Sequence, residues 1–154
     1  LLGFALQLGA VLAGASKEDA SHLYDFGMNI GIAFQLKDDL LDVYADKEKF
    51  GKQVGGDILA NKKTYLLVKA NEIATGPSAE SLKKWLNTKA YNAEEKVKAV
   101  TALYDELQIK KKTMALMDDY FEKGFNQLSN LQVKNTNGLQ LLQNLTHNLA
   151  NREK

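Results

Sequence analysis

Apolar residues recur along this chain with a helical period nearly everywhere, and β-branched alternation is almost absent. From Leu1 to about Ala15 the residues are apolar on every side except at Gln7, so the pattern predicts a helix covered all round, in a core or an interface. Ser16, with Asp19 three residues on, resembles a capping box in which Asp stands for the usual Glu. It opens a second helix, expected from about Lys17 to Asp46. Three glycines in FGKQVGGD, Phe50 to Asp57, then break the pattern. A third helix is expected from about Ile58 to Ala74, ending at the TGPS turn of Thr75 to Ser78. A short helix around Ala79 to Leu86 follows. The next spans about Ala93 to Leu107, capped by Asn92 with Glu95 three residues later. An amphipathic stretch from about Lys110 to Leu131 precedes a last helix that Asn135 or Thr136 opens and Ala150 closes. No strand pattern, internal repeat or low-complexity linker interrupts this series. The reading is a single all-α domain over residues 1–154.

Composition narrows the chemistry. The 154 residues are 45% apolar and 25% charged, ordinary for a globular domain with a real core. A net charge of +1 favours neither nucleic acid nor an anionic membrane surface as partner. The absence of cysteine excludes disulfides and thiolate metal sites. The two histidines, His22 and His147, are far apart in sequence, which argues against a histidine-based metal site. The opening LLGFALQLGAVLAGA lacks a basic leader region and is too short to span a bilayer comfortably, so neither a signal peptide nor stable membrane insertion is expected.

One stretch stands out against this background. FQLKDDLLD, Phe34 to Asp42, sets three aspartates within an apolar run. Aspartate is a poor helix-interior residue, and carboxylates are rarely buried without partners. With Gln35 at zero and about 100° per residue, Asp38 falls at about 300°, Asp42 at about 340°, Asp46 at about 20° and Asp39 at about 40°. Four carboxylates and one amide share one face. Gly31, one turn earlier, leaves space beside them. Like charges at this spacing oppose helix formation by roughly 0.2–0.5 kcal/mol per pair. A hard divalent cation would compensate, because carboxylate oxygens and waters suit Mg²⁺, which also binds substrate phosphates. A solvated acidic stripe paired with surface lysines is the alternative. Downstream, Lys47, Lys49, Lys52, Lys62 and Lys63 are interspersed with Gly51, Gly55 and Gly56. Glycines let backbone N–H groups approach an anion. The spacing is not that of a P-loop, and a lysine-rich connector is the plain alternative. Taken together, acids for a metal and lysines for an anion suggest a metal-bridged diphosphate.

The segments GIAFQLKDDLLDVYAD, GKQVGGDI and NKKTYL resemble the second half of the trans-isoprenyl diphosphate synthases, the farnesyl and geranylgeranyl diphosphate synthase family. The family's second aspartate-rich motif, FQ-x-x-DD-x-x-D, is matched at Phe34, Gln35, Asp38, Asp39 and Asp42. Its later elements are matched at Gly51 and Lys52, and at Asp57, Lys62 and Thr64. LQLGAVLAGAS resembles the helix that precedes this motif. The resemblance covers about Leu1 to Ala70; the remaining helices agree only in being helical.

The resemblance implies an antiparallel all-helical bundle of the isoprenoid synthase type and Mg²⁺-dependent head-to-tail prenyl transfer. An allylic diphosphate ionises, the double bond of isopentenyl diphosphate attacks the cation, and a proton is lost. Carried over position by position, Asp38 is the principal Mg²⁺ ligand, supported by Asp39 and Asp42 through metal-bound water. Lys52 and Lys62 hold the allylic diphosphate. Gln35 points its amide oxygen at the cation, and Phe34 lines the site near the isopentenyl chain. Asp57 caps the next helix or orients Lys62. A cytoplasmic homodimer is implied. The family's first aspartate-rich motif, the arginines after it and a lysine–threonine pair are not among these residues. The chain therefore resembles a C-terminal half, truncated at its N-terminus and expected to be inactive alone. Two other readings stay open: a non-catalytic helical subunit of a heteromeric synthase, and a terpene cyclase. Cyclases usually carry an Asn/Ser/Glu metal motif where this chain has DDLLD.

Overall fold

The computed structural model describes residues 1–45, 54–132 and 136–150. Every regular element among them is helical: α1 (Leu2–Leu12), α2 (Lys17–Tyr44), α3 (Gly56–Leu59), α4 (Tyr65–Ile73), α5 (Gly76–Asn87), α6 (Ala93–Glu106), α7 (Ile109–Ser129) and α8 (Thr136–Ala150). The tertiary contacts divide into two compact units, Leu1–Gln35 with Leu116–Lys154, and Leu36–Ala115.

In the first unit, Phe26, Ile30 and Ala33 of α2 pack with Phe121 and Leu128 of α7. Phe26 and Phe125 meet at 6.4 Å between ring centroids, and Phe34 meets Phe121 edge-on at 6.0 Å. Helix α1 crosses α2 with almost no side chain between them. A Cβ on Gly27 would lie 2.6 Å from the Cα of Gly3, so only glycine permits this approach. The capping pair at the start of α2 is partly as expected. The Asp19 backbone N–H donates to Ser16 Oγ at 3.0 Å. Asp is one carbon shorter than Glu, and it accepts from the Ser16 hydroxyl at 2.7 Å. Its other oxygen accepts the Gln132 backbone N–H at 2.9 Å.

The expectation that α1 is covered all round does not hold for this chain by itself. Gly3 and Ala10 are buried, whereas Leu2, Phe4, Leu8, Val11 and Leu12 are exposed. An apolar sequence demands cover, and among the described residues it is the Gly3–Ala10 side that is buried.

In the second unit, α6 packs against α3, α4 and α5. The inner stripe of α6 is Lys96, Val100, Leu103 and Tyr104, all buried. Two boundaries differ from expectation for clear physical reasons. The expected helix Ile58–Ala74 is two helices, α3 and α4. Asn61 takes a left-handed conformation (φ 48°) that ends the first, and the Thr64 hydroxyl caps the second by accepting the Leu67 N–H at 3.3 Å. The TGPS stretch is not a terminal turn but the start of α5, with Pro77 in its first turn, where a missing N–H costs nothing. The Asn92 cap is as expected, its Oδ1 accepting from the N–H groups of Glu94 and Glu95 at 2.9 and 3.1 Å.

Candidate functional site

The last turns of α2 carry the aspartates, and the three differ in surroundings. Asp38 is exposed, with no hydrogen-bond partner among the described residues. Asp39 is buried at 4% exposure. Asp42 is partly buried and ties the end of α2 to the start of α3. Its carboxylate accepts the Asp57 N–H at 2.9 Å, and its carbonyl accepts the Gly55 N–H at 2.6 Å. Gly55 makes this possible with φ 90°, and a Cβ there would strike Val97 at 2.6 Å. Gly56 leaves room beside the carboxylate, where a Cβ would sit 3.3 Å from Asp42 Oδ1. Burial pushes the Asp42 carboxyl above its ordinary range, opposed by the Asp57 N–H that donates to it.

Lys62 emerges from the break between α3 and α4, half exposed, and turns back toward the acids. Its ammonium lies 2.8 Å from Asp57 Oδ2 and 3.4 Å from Asp39 Oδ1. The hydrogen bond to Asp57 raises the Lys62 pKa, with Asp39 adding to it, so the cation is secured. Asp57 therefore orients Lys62 with its carboxylate while its backbone N–H meets Asp42. Tyr104 is enclosed nearby, and burial together with the Asp57 charge pushes its hydroxyl pKa well above the ordinary tyrosine range.

Among the other sequence-designated residues, Gln35 is exposed one turn before Asp38, and Phe34 is half buried against Phe121 in the first unit. Lys52, Gly51, Lys47, Lys49 and Asp46 lie outside the described residues. Sequence reasoning passed over Asn61 and Lys96. The signal for Lys96 was its place on the apolar stripe of α6, four residues before Val100.

The donor set is all oxygen, which suits a hard cation and no soft one. Among the described residues no three acidic or histidine groups converge closely enough to hold a metal by themselves. That accords with Mg²⁺, which takes one or two carboxylates plus water and substrate phosphate rather than a protein cage. Asp38, without a partner among the described residues, and the space left by Gly56 beside Asp42 fit such an ion.

No described helix is long and apolar enough to cross a membrane. A short chain isoprenyl diphosphate synthase of Methanothermobacter thermautotrophicus is 44% identical over 82 residues, 53% of this chain and 25% of that protein. The heptaprenyl diphosphate synthase component 2 of Bacillus subtilis is 29% identical over 131 residues, 85% of this chain and 36% of that protein. A crystal structure of a geranylgeranyl pyrophosphate synthase superposes with a TM-score of 0.86 at 34% identity, over 99% of this chain and 47% of that one. The chain thus spans less than half the length of these relatives. The sequence profile described as polyprenyl synthetase matches residues 1–104, and the chain belongs to that family.

Proposed function

We propose that this chain supplies the second aspartate-rich, diphosphate-holding half of a trans-prenyltransferase that condenses an allylic diphosphate with isopentenyl diphosphate. The observation that carries the reading is a lysine, Lys62, held by Asp57 and by Asp39, while the neighbouring Asp38 is exposed with no hydrogen-bond partner among the described residues. Asp38, with Asp39 and Asp42, would hold Mg²⁺, which supplies charge neutralisation for a departing diphosphate. Lys62, held on Asp57 and Asp39, brings a fixed positive charge, and preorganised charge acts where it costs no rearrangement. Lys52 is assigned the same anion, Gln35 the developing cation and Phe34 the isopentenyl side. A cytoplasmic setting completes the reading.

Calorimetric titration of the chain with Mg²⁺ and inorganic pyrophosphate tests it. Binding is expected to require both. Asp38→Ala and Lys62→Ala should each weaken it about ten- to a hundredfold, the loss of one charge-assisted contact. Pyrophosphate binding indifferent to Mg²⁺ and to both substitutions would sink the proposal. Incorporation of radiolabelled isopentenyl diphosphate by these residues alone is expected to be absent, since the family's first aspartate-rich motif is not among them.

The exposed apolar side of α1 supports self-association, and we assign a homodimer. Light scattering on the eluting chain should report a mass above the monomer, falling to the monomer for Phe4→Glu. A monomer throughout rules it out. The relative named as component 2 of a heptaprenyl diphosphate synthase favours one other reading, a subunit of a heteromeric enzyme. Reconstitution of activity only on adding an unlike chain would select it.

A further inference from the structure

We infer that Lys96, acting with Asn61, is a positioning residue: it fixes the turn between α3 and α4 so that the Lys62 ammonium stays on Asp57 and Asp39. The inference deepens the diphosphate reading and rests on it for its ligand.

Lys96 is fully enclosed, at 0% exposure, yet among the described residues it has no carboxylate partner. Its ammonium donates to Asn61 Oδ1 at 2.7 Å and to the Leu59 carbonyl at 3.4 Å, and lies 4.2 Å from the centroid of the Tyr91 ring. Enclosing a cation among neutral groups is costly, and an apolar side chain of similar size often serves a core equally well. Stability therefore gives no reason for a lysine on the inner stripe of α6. Geometry gives one.

Both hydrogen bonds of the ammonium fall on the segment just before Lys62. The Leu59 carbonyl also accepts the Tyr91 hydroxyl at 3.0 Å. Asn61 is gripped at both ends of its amide: Oδ1 accepts from Lys96, and Nδ2 donates to the Leu86 carbonyl at 3.1 Å. These bonds hold Asn61 in its left-handed conformation, which short polar side chains tolerate at modest cost. The next residue is Lys62. Its backbone N–H donates to the Asp57 carbonyl at 2.9 Å, and its carbonyl accepts the Thr64 N–H at 2.8 Å. The chain direction at Lys62, and so the aim of its long side chain, is set one residue from the clamp. Without the clamp, Lys62 would sample solvent, since its side chain is 50% exposed.

The test uses side-chain NMR relaxation of Lys62, which reports whether its ammonium stays docked, together with pyrophosphate titration in Mg²⁺. Lys96→Met keeps the aliphatic stem and removes the charge. It is expected to mobilise Lys62 and to weaken pyrophosphate about tenfold, the scale of one lost charge-assisted contact. In a Lys62→Ala background the same change should have no further effect on binding. Asn61→Gly preserves the left-handed backbone without the side chain, and should mobilise Lys62 even if Lys96→Met does not fold. Asn61→Asp keeps an oxygen for Lys96 and should restore docking. If Lys62 stays docked in the folded Lys96 or Asn61 variants, or if the losses simply add in the double variant, the inference is overturned. If Lys62 is mobilised but the parent chain binds no Mg²⁺–pyrophosphate, the positioning role stands and the diphosphate reading falls.

Discussion

The first unit encloses Phe26, Ile30, Ala33, Phe121 and Leu128, with Thr146 as its buried polar side chain, while the second encloses Asp39, Lys96, Thr64 and Thr113 among its aliphatic residues. Among the described residues Thr146 bonds to the Leu142 carbonyl of its own helix, a local arrangement. In the second unit Thr113 does the same, donating to the Ile109 carbonyl of its own helix, but the other three buried polar groups behave differently. Thr64 caps α4, Lys96 grips the turn before it, and Asp39 receives Lys62. One core is specified by shape, which sets α1 and α2 close together. The other is specified partly by hydrogen bonds, which fix directions as well as distances. A site that must aim charges at a small anion needs the second kind.

The largest expected effect separates these two modes. Phe26→Ala removes a ring that is 1% exposed and touches the heart of the first unit, so it should cost about 3–5 kcal/mol of unfolding free energy. Asp39→Asn is as deeply buried, but its partner Lys62 is half exposed and would not be left as a stranded buried charge. Its cost should stay within about 1 kcal/mol, the scale of exposed ion pairs. Chemical denaturation of both variants decides. Equal losses would mean that burial alone governs stability and that the contrast between units is empty.

A smaller loss should follow Gly27→Ala. The new Cβ would meet backbone atoms of Gly3 and Leu2 at 2.6 to 2.9 Å, and backbone cannot swing aside as a side-chain tip can. Overpacking of this kind costs about 1–3 kcal/mol. Because α1 would be displaced, limited proteolysis should first cut within Leu2–Leu12. An unchanged melting temperature and an intact α1 would show that the close crossing is not needed.

Much of this was legible in the residues. The FQLKDDLLD face follows from helical period alone, and α2 does carry it. Asn92 and Ser16 were readable as caps because their side-chain chemistry is local. The break at Asn61 was not readable, because nothing within a few residues of NKKT forbids a helix. What stops it is the grip of Lys96 and Leu86, which lie 35 and 25 residues away. Lys96 itself looks like one more lysine of an amphipathic helix until its register with Val100, Leu103 and Tyr104 is counted. The unequal burial of Asp38, Asp39 and Asp42 was likewise out of reach of a helical wheel, which gives faces and not neighbours.

The smallest expected effect is a pair of opposite pH dependences, one from each unit. In the first, Asp19 accepts the Gln132 backbone N–H and the Ser16 hydroxyl, and both hold its carboxyl below the ordinary 3.8. The unfolded chain then binds this proton more readily than the folded one. Stability from Asp19 is fully present above about pH 3.8 and is lost as pH falls through the lower folded value. In the second, burial raises Asp42 above 3.8 in spite of the Asp57 N–H. The folded chain binds that proton more readily, so its charge is a burden at neutral pH, relieved as pH falls through the raised value. Melting curves from pH 7 to pH 3, without added divalent cation, should therefore diverge. Asp19→Asn should lower the melting temperature at pH 7, with the difference shrinking only below about pH 3.8. Asp42→Asn, which keeps an oxygen for the Asp57 N–H, should raise it at pH 7, with the difference vanishing at a higher pH than for Asp19. Added Mg²⁺ should reverse the second difference and leave the first untouched, because a cation would relieve the Asp42 charge and has nothing to relieve at Asp19. If both variants responded to pH with the same sign, the surroundings read for Asp42 would be wrong, and with them the electrostatic contrast between the units.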